Sequence, residues 1–251
     1  MQQKLSFFRE SHPETAARDT AISHAILQSV SDRTMQQSLR LYRPTNVIAF
    51  GPLDPTETDF LKAVTFGRSR GFDSIQRLVG GRAAMFHQGT LAFGLTLFDC
   101  QPRNNIEQNY QMVAEVLVSA LKRLGLESQI GPVKGEYCPG KYSINSHGKF
   151  KLAGIGQRLA RNATYVGGVI SLQENLVAEE ILIQVYSSLN LKLNPSSFGN
   201  LRMELPNISY TQLERALQDE FATQFYLEEN SIPTEIIKLA ATFEPRHTIP
   251  K

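Results

Sequence analysis

Lys134-Gly135-Glu136-Tyr137-Cys138-Pro139-Gly140-Lys141-Tyr142-Ser143-Ile144, followed after a short gap by Phe150-Lys151-Leu152-Ala153-Gly154-Ile155-Gly156-Gln157-Arg158, holds the most informative residues of this chain. Pro139 and Gly140 follow Cys138 at once, so the cysteine belongs to a loop or a strand entry and not to a helix interior. Lys134 and Lys141 are its close neighbours in sequence, and a cationic, partly exposed setting lowers a thiol pKa and makes it nucleophilic. A free cysteine is more often a small buried hydrophobe, and the local residues leave both readings open. Lys151 leads an apolar strand punctuated by glycine. Gly154 and Gly156 strip side chains from one face, as a strand requires where a ligand or another backbone comes close. A lysine at such a place is either an ordinary strand-start charge or a desolvated acid–base group.

Upstream lies Arg77-Leu78-Val79-Gly80-Gly81-Arg82, then His87-Gln88-Gly89. Paired glycines after a strand can present N–H groups to a carboxylate, phosphate or oxyanion; they serve equally as a turn with positive φ. The flanking pattern is mixed. Apolar periodicity predicts helices over Glu14–Val30, Asp54–Arg70, Asn105–Leu124, Glu174–Leu189 and Thr234–Thr242, with another begun by a capping box at Ser209 and Gln212. Asn105 with Gln108 reads as an N-terminal cap, and Gly125 as a C-terminal stop. Strands are predicted over Leu39–Phe50 with a turn at Pro44, then Ser74–Val79, Arg82–His87, Thr90–Phe98, Tyr142–Asn145, Lys149–Arg158 and Tyr165–Ser171. Hairpin-length connections among mixed elements argue for an α+β fold whose mixed, largely antiparallel sheet is flanked by helices. The expected organisation is one domain over 1–251, with about 195–251 a candidate helical extension.

Composition excludes several classes. The chain has 251 residues, 41% hydrophobic and 20% charged, with a formal net charge of +2. These fractions are ordinary for a globular domain, and so small a net charge argues against a nucleic-acid partner. The first ten residues lack a basic region leading into an apolar run, and no stretch reaches the roughly 18 apolar residues of a membrane span. The expectation is a cytoplasmic protein without membrane association. Its two cysteines, Cys100 and Cys138, are then both reduced. Cys100 has no motif around it and is expected to be structural.

Taken together, the residues from Gly135 to Tyr142, the run from Lys151 to Arg158, and Arg77 to Gly81 with Gly89 resemble the biotin/lipoate protein ligase superfamily. The resemblance is nearest to the branch that moves octanoyl groups from the glycine cleavage H protein to other proteins, the lipoyl amidotransferases, and it covers roughly Ala16 to Tyr186. It implies a class II synthetase-like catalytic domain. Cys138 would be the acyl-accepting nucleophile and Lys151 the lysine near the reacting carbonyl. Gly80 and Gly81 would wall the acyl pocket, with Arg77, His87 and Gly154 also binding substrate. Val79, Ala83, Phe93 and Leu95 are candidate wall residues. Arg82 stands where many relatives have a third glycine or a small residue, and His87 is more like the histidine of lipoate ligases and octanoyl-carrier transferases. The implied activity carries an octanoyl or lipoyl group, as a Cys138 thioester, from a carrier (glycine cleavage H protein or acyl carrier protein) to a lysine of a lipoyl domain. Recipients would include 2-oxoacid dehydrogenase acyltransferase subunits. No metal, ATP or other cofactor is expected. The alternatives are an ATP-dependent lipoate ligase, which needs no thiol, and a non-catalytic protein that binds carrier domains.

Overall fold

The structure is a computed structural model and describes residues 2–250. Eleven strands and six α-helices follow one another in it. They are β1 (Gln3–Phe8), α1 (Arg18–Ser31), β2 (Ser38–Tyr42), β3 (Val47–Phe50), α2 (Phe60–Ser69), β4 (Asp73–Gln76), β5 (Ala84–Phe86), β6 (Thr90–Phe98), α3 (Ile106–Arg123), β7 (Gln129–Ile130), β8 (Ile144–Ser146), β9 (Phe150–Leu159), β10 (Ala163–Ser171), α4 (Leu176–Ser188), α5 (Tyr210–Gln224), β11 (Phe225–Glu229) and α6 (Thr234–His247). None of the described helices is long and apolar enough to cross a membrane.

The large sheet runs in the order β11-β1-β2-β6-β10-β9-β8-β7. Only β11–β1 and β1–β2 are parallel; every other pairing in it is antiparallel. Alternation along each strand sends one set of side chains to each face. Leu39, Leu41, Phe93, Leu95, Val166 and Ile170 pack on the face covered by α3 and α5, where Val113, Leu117 and Leu213 meet them. The opposite face carries α1 and α6, with Ile22, Ala25 and Ile26 packed near Tyr165.

A second sheet, β4-β3-β5, stands beside the α1 face. It is backed by α2 and α4, whose Val64, Ile181 and Val185 pack with Ile48 and Phe50. The stretch read as one interrupted strand, Leu39–Phe50, is therefore two strands in different sheets. Pro44 and the bend after it let the chain leave one sheet and enter the other.

Three further departures have local causes. Asn105 does not cap α3 with its side chain, because its amide donates to Asp99 Oδ2 at 2.9 Å. The expected helix from Asp54 begins instead as a 3-10 turn at Asp54–Thr56, with α2 starting at Phe60. β1 and β11 were not anticipated at all; they pair with each other in parallel at the sheet edge, Leu5 opposite Leu227. The residues after Pro195 are thus joined to the large sheet through β11 and to its faces through α5 and α6.

Two glycine placements govern the site. On the α1 face Gly94, Gly167 and Gly156 lie directly opposite one another across β6, β10 and β9, leaving a bare strip across the sheet. At the end of β3, a Cβ on Gly51 would lie 1.7 Å from the carbonyl oxygen of Gly81, so only glycine lets the loop after β4 pass this close. Gly51→Ala is expected to displace that loop and destabilise the protein by about 1–3 kcal/mol, the range for forced overpacking; urea unfolding of the variant measures it.

Candidate active site

Cys138 sits on a loop with no regular secondary structure between β7 and β8. Its φ is +41°, a left-handed value that a side-chain-bearing residue rarely adopts. Such strain persists only where the surroundings hold it, and it gathers at functional sites. Both sides of the residue are held. The Cys138 N–H donates to Tyr186 Oη at 2.5 Å, and that hydroxyl donates to the Ala83 carbonyl at 3.0 Å. The Cys138 carbonyl accepts from Lys151 Nζ at 2.9 Å.

Lys151 is 1% exposed. Its other two bonds run to the Tyr137 carbonyl at 2.8 Å and to Glu136 Oε1 at 3.0 Å. Three acceptors around one nitrogen satisfy the three donors of an ammonium group. Glu136 in turn accepts from the Val133 N–H at 2.8 Å, the Gly140 N–H at 3.3 Å and the Ser143 hydroxyl at 2.6 Å. The ion pair thereby fixes the loop from Val133 to Ser143.

The reach of Lys151 depends on a bulge. Asn145 is opposite Lys151 while its neighbour Ile144 is opposite Ala153, so β9 carries one extra residue, Leu152. Bulges re-aim side chains. Strict alternation would send Lys151 and Gly154 to opposite faces; here a Cβ on Gly154 would lie 3.5 Å from Lys151 Cε. The bare face of β9 is where the lysine stem passes.

The second loop supplies the positive field at sulfur. Arg77 Nη1 donates to Cys138 Sγ at 3.2 Å and to the Arg82 carbonyl at 2.9 Å, and the Arg82 N–H donates to Sγ at 3.3 Å. Gly81 has φ +105°, and a Cβ there would lie 2.6 Å from Sγ, so the loop can touch the sulfur only as glycine. Gly80 is exposed beside it, and a Cβ there would meet nothing within 4 Å. Arg82, the departure noted above, anchors the loop: its guanidinium binds Glu57 at 2.8 Å and Asp54 at 3.2 Å, and Asp54 also accepts from the Gly51 N–H at 2.7 Å. Burial pushes the Cys138 thiol up, but Arg77, Lys151 and the Arg82 amide outweigh it and hold the thiol below the ordinary cysteine value. Burial likewise pushes the Lys151 amine down, against the pull of Glu136 and Cys138.

Of the residues singled out in the sequence, Cys138, Lys151, Arg77, Gly81 and Gly154 converge here. His87 does not. It is buried in the turn after β5, where its Nδ1 accepts from the Gly89 N–H at 3.0 Å and burial lowers its pKa to about 4. Lys134 is exposed, and Lys141 pairs with Glu107 at 2.9 Å; neither lies on the thiol. Cys100 is free and exposed after β6. A cavity opens behind Arg77, lined by Ala49, Ile75, Val79, Phe86, Tyr165 and Gly167. Of the expected walls only Val79 takes part. Phe93 and Leu95 flank Gly94 and so face the α3 side of the sheet, while Ala83 packs with α4. Sequence reasoning gave no role to Glu136, Gly51, Asp54 or Tyr186. Glu136 lay within the quoted motif; Tyr186 had only the appearance of one more apolar-face residue on a helix.

Comparison with known proteins places this architecture. A family model described as the lipoyl protein ligase A/B catalytic domain matches residues 15–222. The chain belongs to that family. Among members of the lipoyl protein ligase A/B family, it is 26% identical over 184 residues to a protein of Geobacillus kaustophilus named octanoyl-[GcvH]:protein N-octanoyltransferase, covering 73% of this chain and 65% of the relative. It is 28% identical over 151 residues to a protein of the same name in Anoxybacillus flavithermus, covering 60% and 54%. The chain thus spans between about half and two thirds of these relatives' length. Its backbone follows that of a lipoate-protein ligase A bound with ATP, at TM-score 0.76 and 18% identity, over 98% of this chain and 95% of the other. It also follows the bipartite lipoate protein ligase of Thermoplasma acidophilum, at TM-score 0.75 and 17% identity, over 97% and 93%. At these identities the likeness establishes the fold.

Two outcomes follow for the lipoyl protein ligase A/B site. With Cys100 replaced by Ser, iodoacetamide labelling of Cys138 is expected to rise with pH and reach half its limit below the value of about 8.5 of a free cysteine. Arg77→Gln removes the leading cation, so its midpoint moves up; Lys134→Ala and Lys141→Ala leave it in place. Mass spectrometry of the labelled protein across pH reads this. Lys151→Met leaves the Glu136 carboxylate buried without its cation and is expected to destabilise by about 3–5 kcal/mol. Adding Glu136→Gln to that variant should recover a large part of the loss in denaturant melts.

Proposed function

We propose that this protein is a cytoplasmic acyltransferase that passes an octanoyl group through a thioester on Cys138 to a lysine of a lipoyl-type domain. The observation that carries the reading is the strained Cys138 with its sulfur held by Arg77 and the Arg82 N–H, above the Lys151 ammonium. The names of the relatives support an octanoyl group and the glycine cleavage H protein as its donor.

In the first half-reaction the Cys138 thiolate adds to the carbonyl carbon of an octanoyl-lysine amide. The C–N bond breaks, the lysine nitrogen leaves with a proton, and a thioester forms. In the second, the amine of the recipient lysine adds to the thioester carbonyl, the C–S bond breaks, and the thiolate returns as the incoming nitrogen loses a proton. Lys151 is the nearest cation able to give and regain that proton, at the expense of one of its three bonds; such transfer contributes about 10²–10⁴-fold. Each tetrahedral oxygen develops negative charge beside the Arg77 guanidinium and the Arg82 N–H, and one well-placed donor contributes about 3–4 kcal/mol. The cavity behind Arg77 takes the hydrocarbon chain. Exchange of one lysine amide for another is nearly neutral in energy, so neither half-reaction calls for ATP or another cofactor.

Incubation with an octanoylated glycine cleavage H protein is expected to add the mass of one octanoyl group to the protein, with none on Cys138→Ser. Subsequent mixing with an unmodified lipoyl domain should discharge it without ATP. Modification that requires ATP and survives Cys138→Ala would instead establish a ligase. Tight carrier binding with no adduct from either an H protein or an acyl carrier protein would establish a binding module.

A further inference from the structure

The bare strip across the large sheet is not empty. Gly94, Gly167 and Gly156 are mutually opposite on β6, β10 and β9, and Arg40 of β2 is opposite Gly94 at its far end. Val79 and Arg77 occupy the Gly156 end: a Cβ on Gly156 would lie 2.5 Å from Val79 Cγ2 and 3.4 Å from Arg77 Nη2. The remainder is filled by one side chain. Tyr165, one alternation step from Gly167 on β10, lays its ring back over its own strand and over β6. A Cβ on Gly167 would lie 2.3 Å from its hydroxyl oxygen, and a Cβ on Gly94 2.5 Å from its Cε2.

The ring is therefore set by the glycines beneath it. It is 8% exposed. It also lines the cavity that opens behind Arg77, as do Ser23, Tyr42 and Gly167. The thiol end of the cavity is marked by Arg77, which touches both the cavity and Cys138 Sγ. Chain entering the cavity past Arg77 and Val79 meets the Tyr165 ring, which covers Gly167 and Gly94. Beyond Gly94 stands Arg40, outside the cavity lining, its guanidinium 4.0 Å from the Tyr42 ring centre and paired with Asp19.

We propose that Tyr165, folded onto the Gly94–Gly167 strip, is the stop that sets the length of the acyl chain this protein accepts. This rests on the acyl-transfer reading above and concerns the same cavity. With the ring gone, the strip is free as far as Arg40, adding room for about three methylenes at protein packing density. With a methyl group beneath it, the ring must rise into the cavity and shorten it. The two changes act in opposite directions. A defect of stability alone moves both chain lengths together.

The test measures acyl transfer from glycine cleavage H protein carrying hexanoyl, octanoyl, decanoyl or dodecanoyl groups. Each buried methylene is worth roughly four-fold. Tyr165→Ala is expected to raise the kcat/KM ratio of decanoyl and dodecanoyl to octanoyl at least about ten-fold. Gly167→Ala should shift the ratio of hexanoyl to octanoyl up by about four-fold or more. Tyr165→Phe, which keeps the ring and loses only the hydroxyl, should retain the wild-type order. Unchanged ratios in Tyr165→Ala, or the same shift in Tyr165→Phe, overturn the assignment. Should Tyr165→Ala not fold, Gly167→Ala decides, and no turn toward the shorter chain overturns it. A wild-type protein that transfers none of the four chains sinks the acyl-transfer reading itself. Transfer by wild type with no length response in the variants sinks only the role of Tyr165.

Discussion

The pairing of Lys151 with Glu136 inside the protein is the constraint from which the rest of the site follows. A buried ion pair contributes little net stability, because removing two charges from water offsets most of their attraction. What it does here is specify a conformation. The loop from Val133 to Ser143 has no ladder to satisfy its backbone. Glu136 accepts two of its N–H groups and a hydroxyl, and Lys151 donates to two of its carbonyls. A chain held at that many points can keep Cys138 at a φ that an unsupported loop would relax.

That loop meets a second one from the other sheet, and the contact is as particular. Gly51 lets Gly81 approach, Gly81 lets the sulfur approach, and Arg82 ties the loop to Asp54 and Glu57. Tyr186 on α4 joins the two loops through a single hydroxyl that accepts from Cys138 and donates to Ala83. The acids and cations around the thiol thus come from β9, from the 3-10 turn after β3, and from the two loops. No stretch of sequence contains more than a part of them.

This explains what the sequence made legible. Amphipathic helices such as α3, with Val113, Leu117 and Leu121 on one side, are repeated over enough turns to be read directly. β11 escaped because Phe225 follows Gln224 of α5 with no turn residue between them, and β1 because its first two residues are exposed and polar, which blunts the alternation. Cys138, Lys151 and Arg77 stood out because glycines mark the close approaches around them. Proximity in sequence misdirected the electrostatics: Lys134 and Lys141 were nearest in the chain, but the loop turns them outward, and the effective cations come from 61 residues earlier and 13 residues later. The Leu152 bulge has no signal in residue type, yet it decides which way Lys151 points.

The charge balance of the site bears on why a thiol suits it. Arg77 and Lys151 bring two positive charges to the sulfur, while Glu136 brings one negative charge to Lys151. Asp54 and Glu57 answer Arg82, and the charged side chains that act most directly on the sulfur are the cations Arg77 and Lys151. A thiolate at Cys138 is the anion that this field favours. Under the proposed reaction, the negative charge leaves sulfur as the tetrahedral intermediate forms and appears on an oxygen a short distance away. The same donors face both positions, so the environment that favours the thiolate also favours the oxyanion and has little reorganisation to make between them. A serine hydroxyl at 138 would stay neutral and gain little from the same field. The preference for sulfur is therefore a property of the surroundings as much as of the nucleophile.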